Sequence, residues 1–155
     1  MIPKMQAEFH HIAISVKDFD AIKIFYVDIL GYEVLWDSDN RSNAALSATV
    51  GLPNARMHIA MLKGYGMHIE LFHYYEPQGE PRTPARQCDF GQTHFALSVK
   101  DIKGIYSRLN ARGVSFVSPP QNIRAGAWAM YLRDPEGNII EMVEYESEAS
   151  ATSVR

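Results

Sequence analysis

The chain has 155 residues, 46% hydrophobic and 21% charged, a composition expected of one globular domain with a sizeable core rather than a fibrous or disordered chain. A formal net charge of -3 offers no basic surface for phosphates, so nucleic acid is not an expected partner and a small-molecule ligand is. The opening residues lack the apolar run of a signal peptide, no later stretch is long enough to span a membrane, and Cys88 stands as the single cysteine, which points to the cytoplasm and leaves any metal site to His and carboxylates.

In chain order, the first element is a strand from His11, with Ile12, Ile14 and Val16 on one face and His11, Ala13 and Ser15 on the other. Asp18 is placed to N-cap a helix carrying Ile22, Phe25, Tyr26 and Ile29 at helical spacing, and Gly31 to end it. Short β-rich stretches follow, with a hairpin around Gly64-Tyr65-Gly66. Residues 37–56 carry no motif. Pro77, Gly79, Pro81 and Pro84 mark residues 77–92 as a linker.

The order then repeats. His94 to Asp101 matches His11 to Asp18 at an offset of 83 (94 − 11), with six of eight positions identical. Asp101 caps a second helix bearing Ile102, Ile105, Tyr106 and Leu109, Gly113 ends it, and Asp134-Pro135-Glu136-Gly137-Asn138 turns the last hairpin. Ile69-Glu70 and Ile140-Glu141 repeat at an offset of 71 (141 − 70). The chain therefore reads as one α+β domain over residues 1–146. It consists of two tandem βαβββ modules, one about 9–76 and the other about 93–146, with a polar tail over 147–155 expected to be disordered.

Each module places a His on its opening strand and a Glu on its closing strand. Pseudo-twofold symmetry would bring His11, Glu70, His94 and Glu141 to one axis, with Ala13, Ser15, Ala96 and Ser98 leaving room beside them. Two imidazoles and two carboxylates suit one divalent ion among Zn, Mn, Co, Ni and Fe(II), and their charges neutralise it. If the hairpins turn where expected, Tyr131 lies opposite Glu141 and Ala60 opposite Glu70.

These residues resemble the vicinal oxygen chelate superfamily, which includes glyoxalase I, methylmalonyl-CoA epimerase, extradiol dioxygenases and bleomycin resistance proteins. The resemblance rests on Phe9-His10-His11-Ile12-Ala13-Ile14-Ser15-Val16, Phe25-Tyr26 with Leu30-Gly31-Tyr32, Met67-His68-Ile69-Glu70-Leu71, Thr93 to Val99, and Asp134 to Glu141. It implies a cup-shaped, partly open mixed β-barrel with flanking helices, frequently a homodimer, around one divalent metal. The His, Glu, His, Glu pattern is similar to the glyoxalase and epimerase branch and implies a lyase or isomerase moving a proton next to a chelated carbonyl, with Glu141 or Glu70 as base. The extra glutamate that the epimerases carry on an earlier strand has no acid to match it at Ser47-Ala48-Thr49-Val50. Two other activities are implied by the same superfamily: an Fe(II) ring-cleaving dioxygenase using His11, His94 and Glu141, and drug binding without turnover.

Among further polar residues, His68 shares the strand face of Glu70, Tyr131 has a hydroxyl to offer a substrate oxygen, and Arg124 could clamp an anion; these three are the substrate-binding candidates. His10 and His73 are expected on the face away from the ligands.

Overall fold

The computed structural model describes residues 6–80, 86–147 and 151. The chain divides between Glu80 and Pro81 into two compact units. Each is a mixed sheet with a helix against one face, so the α+β class and the tandem arrangement expected from the repeat are both present, and neither sheet closes on itself.

In the first unit, β1 (Ile12–Ser15) leads into α1 (Phe19–Ile24), which continues as a π-helical turn over Phe25–Ile29. The Asp18 carboxylate accepts the Ala21 amide at 3.0 Å, as an N-cap should. The π turn adds a residue to the helical repeat, so Leu30 is buried where the regular spacing would have buried Ile29. Next come β2 (Glu33–Arg41), α2 (Ala44–Val50), β3 (Arg56–Gly64) and β4 (Met67–Glu76), in the sheet order β1-β4-β3-β2 with β1 parallel to β4. Ile69 and Leu71 of β4, with Leu62 and Ala60 opposite them, share the face carrying Ile12 and Ile14; these residues and the α1 side chains Phe19, Ile22, Phe25 and Tyr26 supply the core.

Residues 37–56, which carry no motif, finish β2 and then form α2. Asn43 caps this helix by accepting the Leu46 amide at 2.8 Å, and Gly51 ends it at φ +69°. Leu46 and Val50 pack on Ala55, Met57 and Ile59, in a cluster shared with Phe72 and Tyr74. The segment Ser47 to Val50, expected on a strand, is therefore helical, and its lack of an acid says nothing about a strand position.

In the second unit, β5 (His94–Ser98), α3 (Ile102–Ala111), β6 (Ser115–Phe116), β7 (Gln121–Arg124), β8 (Ala127–Arg133) and β9 (Ile139–Tyr145) follow, in the order β5-β9-β8-β6 with β7 also on β8. Pro119 and Pro120, which lack amide hydrogens, separate β6 from β7 where the first unit has the single strand β2. Glu144 accepts the amides of Asp101 and Ile102 at 2.8 and 2.9 Å, fixing the start of α3 to the sheet. The linker residues 81–85 and, apart from Ser147 and Ala151, the expected tail lie outside the described residues.

Candidate functional site: a repeated histidine-glutamate pair

The face of the first sheet away from α1, and of the second away from α3, carries the expected ligands. In the first unit, parallel pairing sets Ala13 beside Glu70, and His11 two residues earlier reaches the same carboxylate: His11 Nε2 lies 3.1 Å from Glu70 Oε2. In the second, Ala96 is beside Glu141, and His94 Nε2 lies 3.1 Å from Glu141 Oε2. The side-chain exposures also repeat, at 31% and 15% in the first pair and 33% and 16% in the second. Two segments that share few residues outside the motifs thus build the same polar pair at the same register, half open to solvent. Surface pairs held only by chance packing have no reason to agree in atom choice, distance and exposure together.

The surroundings of the pairs differ. Tyr131 stands opposite Glu141, as expected; burial, followed by the charge and hydrogen bonding of Glu141, raises the Tyr131 hydroxyl pKa above its usual value. Its ring meets His94 edge-on at 5.3 Å. The residue opposite Glu70 is Met61, not Ala60. The first hairpin closes through a two-residue turn, Tyr65 at φ +51° and Gly66 at φ +76°, a pairing of positive φ values typical of type I′ turns. The second closes around the five residues Asp134 to Asn138, where the Asp134 carboxylate accepts the amides of Glu136 and Asn138. Unequal turns move the cross-strand partner by one residue, so partners expected 71 apart are 70 apart (131 − 61).

His68 shares the Glu70 face of β4, and its Nδ1 lies 3.1 Å from the His10 carbonyl oxygen. Arg124 sits on β7 beside Ala127, its guanidinium 5.7 Å from the centre of the Tyr145 ring and four residue pairs along the sheet from Tyr131 and Glu141. His73 does occupy the helix-side face, with Nδ1 3.2 Å from the Val16 carbonyl. His10 does not behave as expected. It precedes β1, so strand alternation does not govern it, and its Nδ1 lies 2.6 Å from Nδ1 of His11, giving the first pair a second imidazole.

A cluster on the helix side of the first sheet was not foreseen. His58 stacks on Phe19 at 3.8 Å with its nitrogens towards Asp37 and Asp39, and Tyr75 donates to Asp39 at 2.7 Å. Asp39, His58, His73 and Tyr75 help line an open cavity of about 470 Å³. The signal was present in the i, i+2 spacing of Asp37 and Asp39, which puts both on one face of β2.

Imidazole nitrogen and carboxylate oxygen are the donors a borderline divalent cation takes, and the atoms facing each other in both pairs are those donors. Each unit offers two of them; among the described residues no group of three or more His, Cys, Asp or Glu side chains is gathered as a cation site.

The model of the Glyoxalase/Bleomycin resistance protein/Dioxygenase superfamily matches residues 8–142. The chain belongs to that superfamily. Its members are commonly enzymes and typically use a divalent metal. A 2-epi-5-epi-valiolone epimerase from Actinomyces sp is 29% identical over 142 residues, covering 86% of this chain and 77% of the relative. A probable lactoylglutathione lyase from Synechocystis sp. is 28% identical, covering 88% and 95%. A glyoxalase family protein of known structure from Bacillus cereus matches with a TM-score of 0.83 at 21% identity, covering 95% and 99%, and shares the fold. No helix among the described residues is long and apolar enough to cross a membrane.

Proposed function

We propose that this chain is a divalent-metal-dependent lyase or isomerase of the glyoxalase and epimerase type, in which His11, Glu70, His94 and Glu141 are the ligands of a single ion. The observation that carries the reading is the repetition of an Nε2 to Oε2 pair at 3.1 Å in both units. When bound, the cation supplies Lewis acidity towards a substrate carbonyl. Glu70 or Glu141 takes the proton from the carbon next to that carbonyl and returns it to the same carbon or its neighbour. The imidazoles hold the two carboxylates at the open face. Tyr131, His68 and Arg124 contact the substrate, a small oxygenated molecule.

The names of the epimerase and lyase relatives support proton transfer as the chemistry. The two modules act as one domain, the protein is a homodimer in the cytoplasm, and light scattering reports the assembly. The reaction is tested by incubating metal-loaded protein in D2O with small 2-hydroxyketones and the glutathione adduct of a 2-oxoaldehyde, following loss of the C–H signal by NMR. Metal-dependent exchange that vanishes in Glu70→Ala and Glu141→Ala is expected. Exchange that persists in both variants would refute the assignment.

A further inference from the structure

We propose that Trp36 is a specificity-determining residue that seats an aryl group of the substrate, so that the molecule handled at the Glu70 face is an aryl-bearing carbonyl compound. The inference rests on the reading of that face as the place where substrate reacts, and adds the substrate's class to it.

Strand β2 carries Val34, Leu35 and Trp36 in succession, and plain alternation would send Val34 and Trp36 to the same side of the sheet. They are on opposite sides. Val34 pairs with Leu62, which pairs with the buried Ile69 on the α1 side, whereas Trp36 pairs with Met61, the cross-strand neighbour of Glu70. Leu35 is the extra, unpaired residue of a β-bulge, and that insertion turns Trp36 onto the Glu70 face. Bulges on edge strands re-aim side chains in this way, and β2 is the edge of its sheet.

Ala13, Glu70, Met61 and Trp36 consequently form one row across the sheet, on the face that carries His11. The rows on either side are closed to an apolar guest. In one, Ile59 and Phe72 pack in the cluster with Leu46 and Val50 of α2; in the other, Glu33, Lys63 and His68 are polar. Along the middle row Met61 is buried, while the indole at its end is 39% exposed. A large aromatic side chain turned towards a carboxylate and left open gains by covering its face with an apolar group.

Neighbouring strands lie about 4.8 Å apart, so the Trp36 backbone is roughly 10 Å from that of Glu70. A ring bonded to the carbonyl carbon of a substrate whose next carbon faces Glu70 extends over Met61 towards the indole. A flat π-system gains from both side chains, by stacking on the indole and by contact with the thioether sulfur, which favours aryl over alkyl. The second unit supplies no counterpart: among the described residues, none of β6 or β7 pairs with Tyr131, so the row of Glu141 ends there. One aryl seat per chain follows.

The protein has two tryptophans, and Trp128 is the internal control, because its ring lies under Lys103 of α3 and its Nε1–H donates to Glu146. The probes are α-hydroxyacetophenone and its methyl counterpart hydroxyacetone, titrated into isotope-labelled wild type, Trp36→Ala and Trp36→Phe. NMR follows the indole N–H signals, backbone amide shifts give the affinities, and circular dichroism checks folding. The aryl ketone is expected to move the Trp36 indole signal, to leave that of Trp128 in place, and to bind about 10-fold more tightly than hydroxyacetone. Trp36→Ala should abolish that preference, and Trp36→Phe, which keeps a ring, should retain most of it. A Trp36 signal that stays in place, or a preference that survives in Trp36→Ala, would overturn the inference; carbon-bound deuterium exchange that still depends on Glu70 would then leave the proposed reaction standing. Aryl binding at Trp36 with no exchange of either ketone would overturn the reaction and leave the aryl seat.

Discussion

Replacing Ser47 by Ala tests whether α2 is a built wall beside the site or an incidental helix. The Ser47 hydroxyl oxygen accepts the Ala55 amide at 3.0 Å, and Ala55 is fully buried. The backbone bond from Leu52 N–H to the Ser47 carbonyl survives the change, so the lost acceptor is the main perturbation. A buried amide left without a partner costs about 1–3 kcal/mol. Alanine returns up to about 0.5 kcal/mol of helix propensity, for a net loss on the order of 1–2 kcal/mol. Urea unfolding should show that loss as a lower midpoint at unchanged slope. Exchange of the Ala55 amide should quicken about tenfold, because 1.4 kcal/mol is one decade. The adjacent cluster includes Phe72, two residues from Glu70 on the same strand face, so loosening here reaches the edge of the site. A variant as stable as the wild type, with unchanged Ala55 exchange, would refute the reasoning.

Gly64→Ala should be destabilising by about 1–3 kcal/mol, read by urea unfolding, because a Cβ there would lie 2.7 Å from the ring of Tyr32, which is buried and packed edge-on against Tyr26 and Tyr65. Asp134→Ala removes an acceptor from the amides of Glu136 and Asn138, each at 2.9 Å, and should lower the thermal midpoint while hydrogen exchange quickens in the last hairpin. Burial pushes the Asp37 carboxyl up, but hydrogen bonds from Lys23 and His58, with their charges, outweigh burial and hold it below 3.8. A lowered folded value means that the stabilisation is present above pH 3.8 and is lost as pH falls through the lowered value. The stability gap between wild type and Asp37→Asn should therefore be full at pH 6 and shrink in acid; a gap that widened in acid would contradict the assigned sign.

The tandem fold was legible because the His11 and His94 segments repeat their strand alternation, their capping Asp and their helix spacing together. Both His-Glu pairs followed from that repetition. The register of the first hairpin was not legible, because Tyr65 adopts a positive φ that its side chain does not advertise, and a two-residue turn and a longer one look alike in a run containing Gly64 and Gly66. Helix α2 left weak marks, Asn43 before it and Gly51 after it, around a seven-residue segment whose apolar side chains pack on a cluster drawn from distant strands. The π turn after Ile24 gave no local sign, since the extra residue is accommodated by where Leu30 can be buried. His10 escaped because it precedes β1, beyond the reach of strand alternation.

Equilibrium dialysis against zinc, with protein and metal counted in the same sample, addresses the joint use of the two pairs. One ion per chain is predicted, with His11→Ala and His94→Ala each abolishing binding in a folded protein. Two ions per chain, or one ion retained after either substitution, would show that the pairs work separately and contradict the account.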